Sequence, residues 1–148
     1  MSSRNNFVAS VGARVLETSH RTLLCLTRGR FPHRLGNMET LELHTIGRKS
    51  GQRRSTLLTA PIAEERKVVV IASKGGHDQH PDWYRNLEAN PDVEIVRRGR
   101  TQKMRARTAT PAEKAELWPQ IVKVYSGYAG YQKQTDRDIP VVICEVVG

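Results

Sequence analysis

Cysteine is scarce in this chain. Only Cys25 and Cys144 occur, far apart and each in an apolar setting, L-L-C-L and V-V-I-C-E. That spacing excludes a zinc-binding or disulfide framework and fits buried free thiols in the reducing cytoplasm. Aromatic residues make up 5% of the sequence, and neither a stacking platform nor a recognition-helix motif for nucleic acid is present. No apolar run reaches the ~18–20 residues of a membrane span, and the N-terminus lacks the apolar core and cleavage site of a secretory signal. A Walker loop, a G-x-G-x-x-G turn and a G-x-S-x-G elbow are all missing, so hydrolase and nucleotide-triphosphatase readings lack support. His77 and His80 flank Asp78, but no further ligand cluster completes a metal site, and none is expected.

Positive charge is plentiful. Lys and Arg number 24 against 15 Asp and Glu, for a net +9 and a pI near 10.1 in 148 residues. This favours an anionic partner: nucleic acid, a membrane surface or an acidic small molecule. Nucleic acid is not expected, for want of the motifs above. The length suits one core, divided here into an N-terminal amphipathic helix and linker over residues 1–38 and the main domain over 39–148. Phe7, Val8, Val11, Val15, Leu16, Leu23, Leu24 and Leu26 recur at helical spacing. That helix either packs on its own domain or touches a membrane surface peripherally. Gly29 to Asn37 reads as a linker.

Strand signals fill the remainder. Leu41–Ile46 alternates polar and apolar residues, Gly47–Gln52 makes a turn, and Arg54–Ile62 returns, a hairpin with a basic tip. Lys67–Ala72 is rich in β-branched residues, as in a strand covered on both faces, and Glu64–Arg66 is the turn before it. Pro81 and Asn90-Pro91 bracket a short helix. Val93–Val96 and Thr101–Thr108 form a hairpin turning at Gly99, with Lys103, Arg105 and Arg107 on one face. Thr110-Pro111-Ala112-Glu113 is a capping box that opens a helix running to about Tyr125. A polar loop bearing tyrosines follows, with Asp136-Arg137-Asp138 as a local ion-paired turn. Ile139–Val147 is the last strand. About six mostly antiparallel strands with two or three helices imply an α+β fold whose sheet closes into a small β-barrel.

Four pieces carry candidate chemistry. Arg48, Lys49, Ser50 and Arg54 offer guanidinium, ammonium and hydroxyl groups to phosphate or carboxylate oxygens. Ala72, Ser73 and Lys74 end a strand in a small cationic bend with backbone N–H donors. Trp83 supplies an aromatic wall, and Tyr125, Tyr128 and Tyr131, three apart, present phenols that orient a substrate or donate to developing charge. Each piece has a plainer reading: a solvated turn, an ordinary bend, a core tryptophan, a structural tyrosine.

Their order along the chain is more telling. T-I-G-R-K-S-G-Q, A-S-K-G-G, H-P-D-W-Y-R-N-L-E-A-N-P, W-P-Q-I-V-K-V-Y-S-G-Y-A-G-Y-Q and T-D-R-D-I-P-V-V-I-C-E together resemble the deazaflavin (coenzyme F420)-dependent nitroreductase and quinone reductase family of actinobacteria. The resemblance implies a split barrel related to flavin-binding barrels and an oxidoreductase. Non-covalent reduced F420, with FMN as the alternative cofactor, would deliver hydride to a small-molecule acceptor: a quinone, nitro compound or activated alkene. It implies that Arg48, Lys49, Ser50 and Arg54 hold the cofactor's phosphate and glutamate tail. Ala72, Ser73, Lys74 and Trp83 would then line the deazaflavin, with Tyr125, Tyr128, Tyr131 and Ser73 on the catalytic side. Barrels of this type are often dimers, so a homodimer is compatible. The chain departs from the family in having Leu57 where proline is common, Thr59 in place of an aromatic, and Ser126 after the first tyrosine. A non-catalytic deazaflavin carrier or lipid-binding barrel is the alternative reading.

Overall fold

The computed structural model describes Arg34–Leu35 and residues 38–147. The N-terminal amphipathic helix expected over Phe7–Thr27 lies outside the described residues, as does Cys25. Eight strands are present among those described: β1 (Arg34–Leu35), β2 (Met38–Ile46), β3 (Arg53–Ala60), β4 (Ile62–Ala63), β5 (Lys67–Ile71), β6 (Asp92–Arg97), β7 (Arg100–Thr108) and β8 (Val141–Val146). The linker expected up to Asn37 is therefore interrupted, because Arg34–Leu35 pairs antiparallel with the start of β2. Helices α1 (Asp82–Ala89), α2 (Pro111–Val124) and α3 (Gly127–Lys133) complete the elements, with a 3-10 turn at Lys74–Gly76.

Every pairing is antiparallel, and the sheet runs β2-β6-β7-β8-β5-β4 with β3 on the free edge of β2. Only Pro61 separates β3 from β4. Proline cannot donate to a ladder, so it is tolerated where a strand bends. One bent strand thus pairs with β2 before Pro61 and with β5 after it, joining the two ends of the curled sheet.

Strand alternation fills the interior. Leu41, Leu43, Val68, Val70, Val93, Ile95, Met104, Ala106, Val142 and Cys144 share one buried cluster with residues of α1. The alternate residues of β5 and β8, namely Val69, Ile71, Val141 and Ile143, face the other way onto Ile121 and Tyr128 of α2 and α3. Those strands are covered on both faces, as their β-branched composition predicts. On β7 the exposed Lys103, Arg105 and Arg107 alternate with buried Met104 and Ala106. The capping box at Thr110 and Glu113 forms in full, with Arg107 gripping Glu113 through two hydrogen bonds of 2.7 and 2.9 Å.

Direction places the rest. Four antiparallel steps lead from β2 through β6, β7 and β8 to β5, so β2 and β5 run the same way. The basic tip after Ile46 and the bend after Ile71 therefore emerge at one end of the barrel. The residues preceding β8 and following β7, which carry α2 and α3, lie at that end too. The Arg97–Arg100 hairpin, with Arg97 and Arg98 beside the buried Glu39, marks the opposite end.

Candidate functional site

The basic tip is tight and docked. Gly47 N–H donates to Gln52 O at 2.8 Å, and a Cβ on Gly47 would lie 2.5 Å from Ser50 Oγ. Ser50 Oγ accepts from Gln52 N–H at 3.2 Å and from the Arg54 guanidinium at 3.5 Å. Arg48 is turned toward α1: its backbone N–H and Nη1 both donate to Asn86 Oδ1, at 3.2 and 2.9 Å, and Nη2 lies 3.4 Å from Asp82. Asn86 is buried and donates in turn to the buried Thr45 hydroxyl at 3.3 Å. Arg53 leaves the tip for the outer sheet face, donating to His44 Nδ1 and Glu94. Lys49 is exposed and has neither a hydrogen bond nor an ion pair among the described residues. Of the four tip cations, Lys49 and Arg54 keep free capacity for an anion.

The second loop follows β5. Ser73 is right-handed (φ −77, ψ −36), Lys74 is left-handed (φ 46) and Gly75 follows at φ 62. A right-to-left step turns successive N–H groups toward one point, a backbone concavity suited to an anion or a carbonyl oxygen. The N–H groups of Ser73, Lys74 and Gly75 have no partner among the described residues, while Ala72 N–H is spent on Pro140 O and Gly76 N–H on Ser73 O. A left-handed lysine costs about 1–3 kcal/mol, so something holds it. Arg137 does, by donating to the carbonyls of Ala72, Ser73 and His77 at 3.1, 2.7 and 2.7 Å. The same guanidinium donates to His80 Nδ1 at 2.9 Å. Arginine has no acceptor, so the His80 proton sits on Nε2. Burial and the Arg137 charge hold the His80 pKa below 6.5.

The expected tyrosine loop is the helix α3. Ser126 precedes its first turn, and residues 127–133 lack β-branched side chains that would oppose it. Gly76 seats that helix, since a Cβ there would lie 3.0 Å from Tyr131 O and 2.8 Å from Gln134 Oε1. Tyr125, Tyr128 and Tyr131 form one edge-to-face cluster with ring centroids 5.1–6.3 Å apart. Tyr128 is buried, its hydroxyl 3.3 Å from Thr59 Oγ1 and 3.5 Å from Met38 Sδ. Tyr125 is exposed and Tyr131 half-buried, their hydroxyls 3.3 Å apart. Burial, then the Tyr125 contact, raises the Tyr131 pKa to about 12. At neutral pH this phenol is a hydrogen-bond donor and not a base.

A family model described as F420H(2)-dependent quinone reductase matches residues 18–146. The chain belongs to that family. A Mycobacterium tuberculosis protein named F420H(2)-dependent quinone reductase is 40% identical over 138 residues, 90% of this chain and 91% of its own length. A solved F420-H2 dependent reductase aligns with TM-score 0.65 and 38% identity, over 72% of this chain and 93% of that one. A second structure, described as a domain-swapped dimer, aligns with TM-score 0.67 and 33% identity over 97% and 100%.

The predicted site residues of this F420H(2)-dependent quinone reductase family member differ in exposure. Lys49, Ser50 and Arg54 on the tip, Ser73 and Lys74 at the bend, Tyr125 at the end of α2 and Tyr131 on α3 share one barrel end. Trp83, Ala72, Tyr128 and Ser73 are buried, at 7%, 0%, 5% and 8% exposure. Trp83 packs in the barrel core cluster with Tyr84 and Leu87 of α1. Arg48 is committed to Asn86 and Asp82. The Asp136-Arg137-Asp138 stretch is not a local ion-paired turn: Arg137 reaches back to the bend, and Asp138 pairs with Lys114. Asn86 and Arg137 are the residues that sequence reasoning missed. A polar Asn86 among Trp83, Tyr84 and Leu87 on one helix face was the available signal for the first. Nothing local announces the second. Among the described residues no cluster of three His, Cys, Asp or Glu could hold a metal, and no helix is long and apolar enough to cross a membrane.

Proposed function

We propose that this chain is an F420H(2)-dependent oxidoreductase that reduces quinones. The carrying observation is the donor-only concavity of Ser73, Lys74 and Gly75, at the same barrel end as Lys49 and Arg54, the tip cations with capacity left for an anion. The described donors there fit a cofactor with an acidic tail and a carbonyl-bearing ring. Lys49 and Arg54, with the Ser50 hydroxyl, hold the tail's phosphate and carboxylates. The bend's N–H groups and the Lys74 ammonium receive a ring oxygen. Bound in its reduced form, F420 supplies the hydride. Tyr131, its phenol protonated at neutral pH, and the neighbouring Tyr125 hydroxyl donate to the oxygen of the acceptor and stabilise the negative charge that develops there. The protein's share is positioning and electrostatics, which accounts for a site without an acid–base dyad.

Relatives at 38–40% identity carry reductase names, which weighs against a non-catalytic carrier or lipid-binding barrel. A fluorescence titration with oxidised F420 beside one with FMN, followed by an assay of F420H2 oxidation with menadione and with a nitroimidazole, tests the reading. It expects F420 binding at micromolar concentration and faster turnover with the quinone. Failure to bind F420 at that concentration rejects it. Replacement of Lys49 should weaken F420 binding with little change in the Michaelis constant for quinone. Sedimentation of the purified chain tests self-association, and pelleting with anionic vesicles tests surface contact by the basic N-terminal segment.

A further inference from the structure

We infer that Arg137 is a positioning residue of the cofactor site: its guanidinium aims and polarises the Ser73 and Lys74 N–H groups as donors to an anionic or carbonyl oxygen. The inference deepens the reading above and rests on its placement of F420 at the Ser73 bend.

The argument is one of peptide geometry. In a trans peptide the C=O and N–H point in opposite directions. The Ala72 carbonyl belongs to the same peptide unit as the Ser73 N–H, and the Ser73 carbonyl to that of the Lys74 N–H. Nη2 of Arg137 donates to both carbonyls, at 3.1 and 2.7 Å. Gripping them from one side turns the two N–H groups to the other, where they have no partner among the described residues. A positive charge on the carbonyl end also strengthens the N–H end of the same unit as a donor, through hydrogen-bond polarisation. Nε of Arg137 fixes the far end of the loop at the His77 carbonyl, 2.7 Å away, and Nη1 is held by His80. One planar fork therefore spans the whole bend and holds Lys74 in its left-handed conformation. A lysine ammonium is a point donor on a flexible stem and cannot reproduce that fork.

The test uses Arg137→Ala and Arg137→Lys in the full chain. In the cofactor-free protein, the amide signals and hydrogen exchange of Ser73, Lys74 and Gly75 report the aim of the loop directly. They should shift and quicken in both variants, with the barrel amides of β6 and β7 unchanged. Affinity for oxidised F420 should fall by about tenfold or more, the worth of one charge-assisted hydrogen bond. Free guanidinium ion at millimolar concentration should restore part of it in Arg137→Ala, and ammonium should not. The Michaelis constant for F420H2 should rise while that for quinone stays near the wild-type value. Unchanged loop amides in both variants overturn the inference. So does a shifted loop with wild-type F420 affinity while Lys49→Ala still weakens binding, because the site then stands and the aimed donors go unused. If Lys49→Ala and Arg137→Ala both bind F420 as the wild type does, the cofactor's placement falls and takes the inference with it. Should Arg137→Ala fail to fold, Arg137→Lys decides by the same readings.

Discussion

Gly76→Ala isolates what seats the tyrosine helix. Gly76 has φ +83, and its Cβ would lie 3.0 Å from the Tyr131 carbonyl and 2.8 Å from Gln134 Oε1. Gly99, in the hairpin at the opposite end, has φ +73 and nothing within 4 Å of an added Cβ. A left-handed conformation costs a non-glycine residue about 1–2 kcal/mol. Gly99→Ala should lose only that. Gly76→Ala should lose it plus about 1–3 kcal/mol of overpacking, because the Tyr131 carbonyl is backbone and cannot yield without moving α3. For a chain of this size the two melting points should separate by about 2–12 °C. Urea unfolding followed by tryptophan fluorescence measures both variants on one scale. Turnover adds a second discriminator: Gly99→Ala should keep it, and Gly76→Ala should lower it by displacing Tyr131 from the bend. Equal destabilisation of the two variants, or full turnover in Gly76→Ala, would refute the idea that the helix rests on this glycine.

Lys74→Gly removes both the left-handed strain and the ammonium, so it should raise thermal stability slightly while weakening F420 binding; loss of stability would contradict the strain. Asn86→Ala strips the Arg48 and Thr45 groups of their partner and should cost about 2–3 kcal/mol in urea unfolding. It should also loosen the tip, seen as weaker F420 binding. Acidification should soften the bend through His80, which faces Arg137, Arg85 and Glu88. Its folded pKa lies below the unfolded value of 6.5, so the stability it contributes is complete above about 6.5 and is lost as pH falls through the lowered value. Amide exchange at Ser73–Gly75 across that range reads it, and His80→Asn should flatten the profile. At the other helix, the Arg107 contact lowers the Glu113 pKa from 4.5 to about 2. The start of α2 should therefore hold above pH 4.5 and fray as pH falls toward 2, a change that Glu113→Gln removes from the circular dichroism titration.

The order of strands, the basic tip, the capping box at Thr110 and the both-sided burial of Lys67–Ile71 follow from local chemistry: alternation, β-branching, turn residues and a cap that needs only its own neighbours. Membership of the family was legible too, because the motifs keep their order. Other features depend on contacts that the sequence does not order. The helix over residues 127–133 sits where it does because Gly76, far back in the chain, lets Tyr131 and Gln134 close on it. Trp83 packs in the core and the Tyr128 hydroxyl meets Thr59, since which face of a helix meets the barrel is set by packing. Arg48 and Arg54 look equivalent in a basic turn, yet buried Asn86 takes one and leaves the other. Arg137 sits between two aspartates that suggest a local pair. Only the folded chain brings it to the carbonyls of Ala72 and Ser73, more than sixty residues away, because a buried backbone oxygen needs its donor more than an exposed carboxylate does.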